Sequence, residues 1–307
     1  MTSALFSVSF AGLWGQAQLS LTDFIARAGS LGYSSVMVMA KRPHLSPLDA
    51  SGEAVTAIRE ALRAASVKCA VVAAYTNLSA GSAPEVPLIE FQIAYVESLA
   101  RLASQLGASI VRVFTAYETG DPRKDWRDLK GALREICDRA AAYGVTIAVQ
   151  NHHDVALETD ELLDLLVSVG RPNCKLGFDA WSPALRGEDL YESARKAAAH
   201  AVLTTNADYC RSPRYRYLPS LVNYERLFPD LVRAVPFGEG FIDYRGFFQG
   251  LRDGGFDGLA VYEICSPVRG GGSLANLDAF SKRYLEWMHA NKLLEPGEAR
   301  SSEASSG

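Results

Sequence analysis

Three hydrophobic runs in this 307-residue chain each end in a polar side chain that could do chemistry. Gln150 closes Thr146-Ile147-Ala148-Val149, Asp179 closes Lys175–Phe178, and Glu263 closes Leu259–Tyr262. Such groups at the ends of buried strands are costly unless they are paired or hold an ion. Two carboxylates and an amide oxygen make a hard oxygen set of the kind that Mn2+ or Mg2+ takes. The plainer reading ties the carboxylates to Arg112, Arg211 or Lys41 as salt bridges. Any one residue fits either reading, but the three together favour a site.

Gln150 also opens a polar cluster, Gln150-Asn151-His152-His153-Asp154. An amide can lend its carbonyl oxygen to a metal, but it cannot serve as a general base. His152 can, because an imidazole titrates near neutral pH. Side chains alternate along a strand, so Gln150 and His152 point one way and Asn151 and His153 the other. His152 is therefore the pocket candidate, and His153 a supporting hydrogen-bonder.

The elements that must position these residues alternate along the whole chain. Candidate strands are Leu5–Phe10, Ser35–Met39, Lys68–Ala74, Ser109–Thr115, Thr146–Gln150, Lys175–Asp179, Ala201–Thr205 and Leu259–Glu263. Helix-period stretches lie between them, and Gly32, Gly107, Gly144 and Gly255 stop helices just before the next strand. Strand–helix alternation argues for a parallel sheet. Eight such units predict an α/β fold, a single-domain (β/α)8 TIM barrel over residues 1–292, followed by a disordered tail over 293–307. The site of such a barrel sits at the C-terminal ends of its strands. Those ends add Tyr75, Trp181, Thr205 and Asn206 to the candidates. Asp208 to Gly240 reads as one extended loop, long enough to be functional. Within it Arg211 to Tyr217 is basic and aromatic, suited to capping a sugar-like or acidic substrate or to a contact in a homodimer. Arg269 and three glycines precede Ser273; this could bind an anion at a helix start, and an ordinary N-cap at Ser273 is the favoured reading.

Composition removes several classes. The net charge is −4 with no basic stripe, against a nucleic-acid partner. No run approaches the roughly 18 apolar residues of a membrane span. The N-terminus lacks the basic start of a signal peptide. Five scattered cysteines without a CxxC pair suit a reducing compartment, hence the cytoplasm.

Three stretches, TIAVQNHHD, KLGFDAWSPAL and GEGFIDYRGFFQGLRDGGFDGLAVYEICSP, resemble the sugar phosphate isomerase/epimerase family with the xylose-isomerase-like TIM barrel. The resemblance runs to about residue 290. It implies one divalent metal held by a Glu ending strand five, an Asp ending strand six, a His ending strand seven and a Glu ending strand eight. It implies that the two Glu residues move protons beside a substrate carbonyl. Carried onto this chain, Asp179 and Glu263 match. The strand-five Glu is Gln150, and the strand-seven His falls on Thr205, or on Asn206 with a slip of one. His152 matches the histidine of the family's Glu-Asn-His motif, and Arg211 falls where some ketose epimerases hold substrate hydroxyls. The expectation is a sugar or keto-sugar isomerase or epimerase. Glu263 would be base and ligand, Asp179 a ligand, Gln150 a ligand or hydroxyl binder, and His152 an acid/base. Trp181, Tyr75, Arg211 and Arg269 would hold a carbohydrate-like substrate. Alternatives are a dehydratase of the inosose or dehydroshikimate type, or a non-catalytic sugar-binding barrel. A metal-dependent repair nuclease on a similar barrel is disfavoured by the five histidines and the acidic charge.

Overall fold

A computed structural model describes residues 1–79 and 85–294 of the chain. The tail from residue 295 onward lies outside the described residues; the chain just before it, at Leu293 and Leu294, is buried. Eight parallel strands close into one barrel in the order β1-β10-β7-β6-β5-β4-β3-β2. They are β1 (Thr2–Phe6), β2 (Ser35–Met39), β3 (Lys68–Ala73), β4 (Ile110–Phe114), β5 (Thr146–Gln150), β6 (Cys174–Asp179), β7 (Ala201–Asn206) and β10 (Leu259–Tyr262). Helices α1 (Leu21–Ser30), α2 (Gly52–Ala65), α3 (Leu88–Leu106), α4 (Pro122–Ala141), α5 (Thr159–Val169), α6 (Trp181–Arg186), α7 (Leu190–Ala197), α8 (Tyr244–Asp253) and α9 (Leu274–Ala290) surround it. Among the described residues no helix is long and apolar enough to cross a membrane.

The alternation of side chains sorts each strand into two cores. One set faces the helices; the other, including Phe6, Met37, Ala73, Ile110, Ala148, Leu203 and Val261, fills the barrel. The next interior position along β5, β6 and β7 is Gln150, Asp179 and Thr205, so the barrel's own packing lifts these side chains to its mouth. Neighbouring strands agree in register: Phe114 pairs with Gln150, and Asp179 with Thr205.

Two expectations are corrected. The first strand is Thr2–Phe6, and Ser7–Phe10 is a 3-10 turn instead of its continuation. Serines explain the change. The Ser7 hydroxyl accepts the Met39 N–H at 2.8 Å and the Ser9 hydroxyl accepts the Ile264 N–H at 2.9 Å, so side chains replace the ladder there. The segment from Asp208 to Gly240 is no loop: β8 (Tyr209–Leu218) and β9 (Asn223–Ala234) form an antiparallel hairpin. Pro213, Pro219 and Pro229 hid it, since proline withdraws a ladder donor. A shift in register between Ser212 and Arg214 accommodates Pro213.

Asp208 anchors the hairpin base. Its carboxylate accepts the N–H groups of Gly238 at 2.9 Å and Gly240 at 2.8 Å. A Cβ on Gly240 would lie 1.8 Å from Asp208 Oδ1, so the second glycine of Gly238-Glu239-Gly240 is a steric requirement of this clamp.

Candidate active site

Asp179 is the most constrained group at the mouth. It is buried, and its Oδ1 accepts the Trp181 N–H at 2.6 Å while Oδ2 accepts the Gln150 amide N–H at 2.8 Å. Thr205 Oγ1 lies 3.4 Å from Oδ2. Asn151 points to the other side of β5 and brackets the Asp179 backbone, donating to its carbonyl at 2.9 Å and accepting its N–H at 2.8 Å. That bracket fixes the end of β6 against β5. Burial raises the Asp179 carboxyl to about 6, partly offset by the donors from Trp181, Gln150 and Thr205.

Glu263 follows β10, its N–H bound to the Asn206 carbonyl at 3.0 Å. Burial, and then the charge of Asp179, push its carboxyl up to about 7; Arg112 and the Cys265 thiol pull the other way. Two carboxylates within each other's field resist ionising together. Among the described residues, no ion pair joins Asp179 or Glu263 to a lysine or arginine. The salt-bridge reading of these strand ends is thereby set aside.

His152 packs on Phe114 with the rings tilted by 35° and their centroids 4.4 Å apart. Its Nδ1 accepts the backbone N–H of His153 at 2.9 Å, which assigns the proton of the neutral ring to Nε2. Burial, the neighbouring His153 and Arg112 hold its pKa down to about 3. The expected acid/base is thus a neutral hydrogen-bond donor at ordinary pH, with its basic nitrogen already engaged. His153 sits at φ 83° and turns Nε2 to the Thr76 carbonyl at 2.9 Å, a supporting contact.

The opposite chemistry lines β2 to β4. Arg112 points into the barrel and is 1% exposed. Nη1 donates to the Ala74 carbonyl at 2.8 Å, and the guanidinium lies 3.9 Å from the Phe114 ring centre and 5.4 Å from that of Tyr75. Lys41 places its ammonium 3.8 Å from the same Tyr75 ring. Burial and the Arg112 charge lower the Lys41 pKa.

Other expected residues go elsewhere. Asn206 is turned away from the carboxylates, its amide donating to Val261 O at 3.0 Å and to the Tyr284 hydroxyl of α9 at 3.3 Å. Thr205, in register with Asp179, takes the strand-seven place. Arg211 lies on β8, exposed, 4.7 Å from the Phe241 ring. Arg269 is ion-paired with Glu239 at the surface, and Ser273 caps α9 as an ordinary N-cap. Trp181 packs on Tyr209 with ring centres 4.8 Å apart. Its Nε1 and the Gln150 Oε1 are both buried without a hydrogen-bond partner. Cys265 was not anticipated, although two residues beyond Glu263 on an alternating chain it shares the same face. A cavity of about 810 Å3 opens at the other end of the barrel, among Thr2, Ser35, Lys68, Ser109 and Leu259. Its lining has neither carboxylate nor histidine, so the chemistry belongs to the mouth.

The mouth does not fit the divalent metal expected from sequence. Where a cation would sit between strands five and six, Gln150 presents its N–H to Asp179. The strand-seven donor is a hydroxyl bonded to the same oxygen. Among the described residues no three His, Cys, Asp or Glu side chains gather as a metal group.

The sequence matches the family described as xylose isomerase-like TIM barrel over residues 25–289. The chain belongs to that family. Solved structures agree on the fold. D-psicose 3-epimerase from Clostridium cellulolyticum H10 superposes with TM-score 0.73 at 15% identity, covering 94% of this chain and 99% of that one. The probable 3-DHS dehydratase of petrobactin synthesis from Bacillus anthracis gives TM-score 0.70 at 18% identity, with 94% and 99% covered. The rhizopine catabolism protein MocC of Rhizobium meliloti is 28% identical over 144 residues, 46% of this chain. The match spans only 43% of that relative's length.

Proposed function

We propose that the protein is an enzyme acting on a polyhydroxylated keto compound, with Glu263 taking a proton from the carbon beside the carbonyl. Loss of the β-hydroxyl as water then follows on the same face. The observation that carries this is the Glu263 carboxyl, raised to about 7 by burial and by Asp179. Near neutral pH such a group can take a proton in one step and return it in the next. The C–H electrons become the new C=C bond conjugated with the carbonyl. The C–O bond breaks, and the proton on Glu263 leaves with the hydroxyl as water. Asp179 contributes its charge, which keeps the Glu263 pKa high. The unpartnered Gln150 Oε1 and Trp181 Nε1 suit substrate hydroxyls, and Nε2–H of His152 suits a carbonyl or hydroxyl oxygen.

Epimerisation needs a second acid–base group to deliver a proton to the other face. Gln150 has no exchangeable acid, and His152 is held neutral with Nδ1 engaged. The isomerase/epimerase reading therefore takes second place to dehydration. The structural neighbours support a polyol-like keto substrate, since they include a D-psicose 3-epimerase and a probable 3-DHS dehydratase. The test is incubation with keto polyols and cyclic keto polyols in D2O. Loss of one water with a new conjugated-enone absorbance is the expected result. Inversion at carbon with solvent deuterium and no loss of water would install the epimerase reading. No change in any substrate would leave a binding barrel. Mn2+ or Mg2+ has no step in this mechanism, because an amide N–H fills the place between β5 and β6. Exposed Tyr215, Tyr224 and Phe228 on the hairpin suit contact with a second copy, which light scattering reads directly. Five free thiols suit a reducing cytoplasm.

A further inference from the structure

The β2–β4 side of the mouth has two cations that no carboxylate contacts; Glu263 and Asp179 act on Arg112 only from across the mouth. Arg112 is fully buried and its Nε has no hydrogen-bond partner. Lys41 and Arg112 both lean on Tyr75, at 3.8 Å and 5.4 Å from its ring centre. Among the described residues neither enters an ion pair. Burying an unpaired guanidinium is costly, and protein cations in cores are normally paired. Aromatic faces offset part of that cost through their quadrupoles. An anion in direct contact would offset more, and among the described residues the chain places none within ion-pair distance. This wall and the Asp179–Glu263 wall share one mouth: Tyr75 contacts Phe114, Phe114 pairs with Gln150, Gln150 donates to Asp179, and Arg112 lies in the field of Glu263.

We infer that the Lys41–Arg112–Tyr75 wall binds a carboxylate of the substrate, which makes the substrate class a keto polyol acid. This rests on the mouth being the active site proposed above. A carboxylate presents two oxygens in a plane, matching one ammonium and one guanidinium edge. A phosphate offers three strong acceptor oxygens and is usually met by backbone N–H groups or a helix N-terminus as well. The α9 start, the nearest glycine-rich candidate in sequence, is already closed by Asn276 bonding to Arg269 O at 3.0 Å and Gly271 O at 2.6 Å. The wall would also orient the ring or chain. Anchoring the acid end at β2–β4 leaves the carbon beside the carbonyl facing Glu263.

The test uses unreactive probes, so that it stands apart from turnover. D-gluconate and D-glucitol share a six-carbon polyol and differ only in carboxylate against hydroxymethyl; D-glucitol 6-phosphate is the third probe. Calorimetric titration of the full chain at low salt should show gluconate binding at least about tenfold tighter than glucitol. Lys41→Gln should abolish the advantage, and Lys41→Arg should keep most of it. Rising salt should reduce the gluconate affinity and leave glucitol unchanged. Lys41 is exposed, so its substitutions should fold. Equal binding of gluconate and glucitol, or an advantage that survives Lys41→Gln, overturns the inference. So does tighter binding of the phosphate than of gluconate. Failure here with dehydration intact would remove the carboxylate alone. Preferential gluconate binding without any turnover would remove the dehydration reading and leave the anion site standing.

Discussion

The barrel mouth has two walls built by the same rule and ending in opposite chemistry. Along β5, β6 and β10, interior alternation ends in Gln150, Asp179 and Glu263, where two carboxyls sit within each other's field and both titrate high. Along β2, β3 and β4 the same alternation ends in Lys41, Tyr75 and Phe114, above a buried Arg112. The acidic wall is tied inward by hydrogen bonds: three donors converge on Asp179 and the Asn151 bracket holds its backbone. The cationic wall rests on aromatic rings and one carbonyl. The difference teaches that one wall is organised to hold protons and the other to hold a charge.

Breaking the acidic wall should have the largest effect. Glu263→Gln keeps shape and removes the base, so kcat should fall by about 10^3-fold or more with KM little changed. A loss under tenfold would move the proton transfer to another residue. Gln150→Glu sharpens the contrast next. It replaces an amide N–H facing Asp179 with a third carboxylate, in a wall where no lysine or arginine is ion-paired with the first two among the described residues. The variant should bind about one Mn2+ per chain where the natural protein binds none tightly, read by titration of the metal-stripped protein. Stoichiometric Mn2+ in the natural protein would reverse the fit argument made from Gln150.

Much of this contrast was legible in the chain. Hydrophobic periodicity and glycine stops gave eight strands because a parallel barrel buries both faces of each strand. Gln150, Asp179 and Glu263 stood out because polar groups rarely end such runs. Thr205 and Asn206 could not be separated from sequence, since a slip of one residue flips the face; pairing of Asp179 with Thr205 decides it. The hairpin was hidden by its prolines. The tautomer of His152 depended on a backbone N–H supplied by the positive φ of His153, a local bend that composition does not announce. Arg112 was visible only as a possible salt-bridge partner. Its role as an unpaired interior cation follows from its place between Ile110 and Phe114 on β4, and from the far side of the barrel holding the carboxylates.

Stability against pH tests the acidic wall without any substrate. Glu263 has a folded pKa raised from 4.5 to about 7. Between those values the unfolded chain has released its proton and the folded chain retains it, so stability falls as pH rises through that window and levels off above it. The full span corresponds to about 3 kcal/mol for an isolated group. Asp179, raised to about 6, and His152, held down to about 3, titrate in the same window with opposite signs. The difference between the natural protein and Glu263→Gln therefore isolates this group: in chemical denaturation at a series of pH values that difference should shrink from pH 4.5 to 7. A difference between the two proteins that stays constant across that window would mean that the Glu263 carboxyl is not raised by burial beside Asp179.

The smallest effect tests the seam between the walls and the substrate. Trp181 uses its backbone N–H to hold Asp179 at 2.6 Å, while its indole N–H is buried without a partner. A buried donor left unmade is unfavourable in the free protein and becomes useful when a hydroxyl arrives. Trp181→Phe leaves the backbone bond in place and removes only the indole N–H and part of the ring packed on Tyr209. Stability should change by about 1 kcal/mol or less, because the lost packing is offset by removal of the unsatisfied donor. KM should rise about fivefold with kcat nearly unchanged, the signature of a contact made equally in ground and transition states. A fall in kcat at constant KM would instead place the indole N–H on the oxygen that gains charge as Glu263 takes the proton. Trp181 would then belong with the groups that stabilise the enolate.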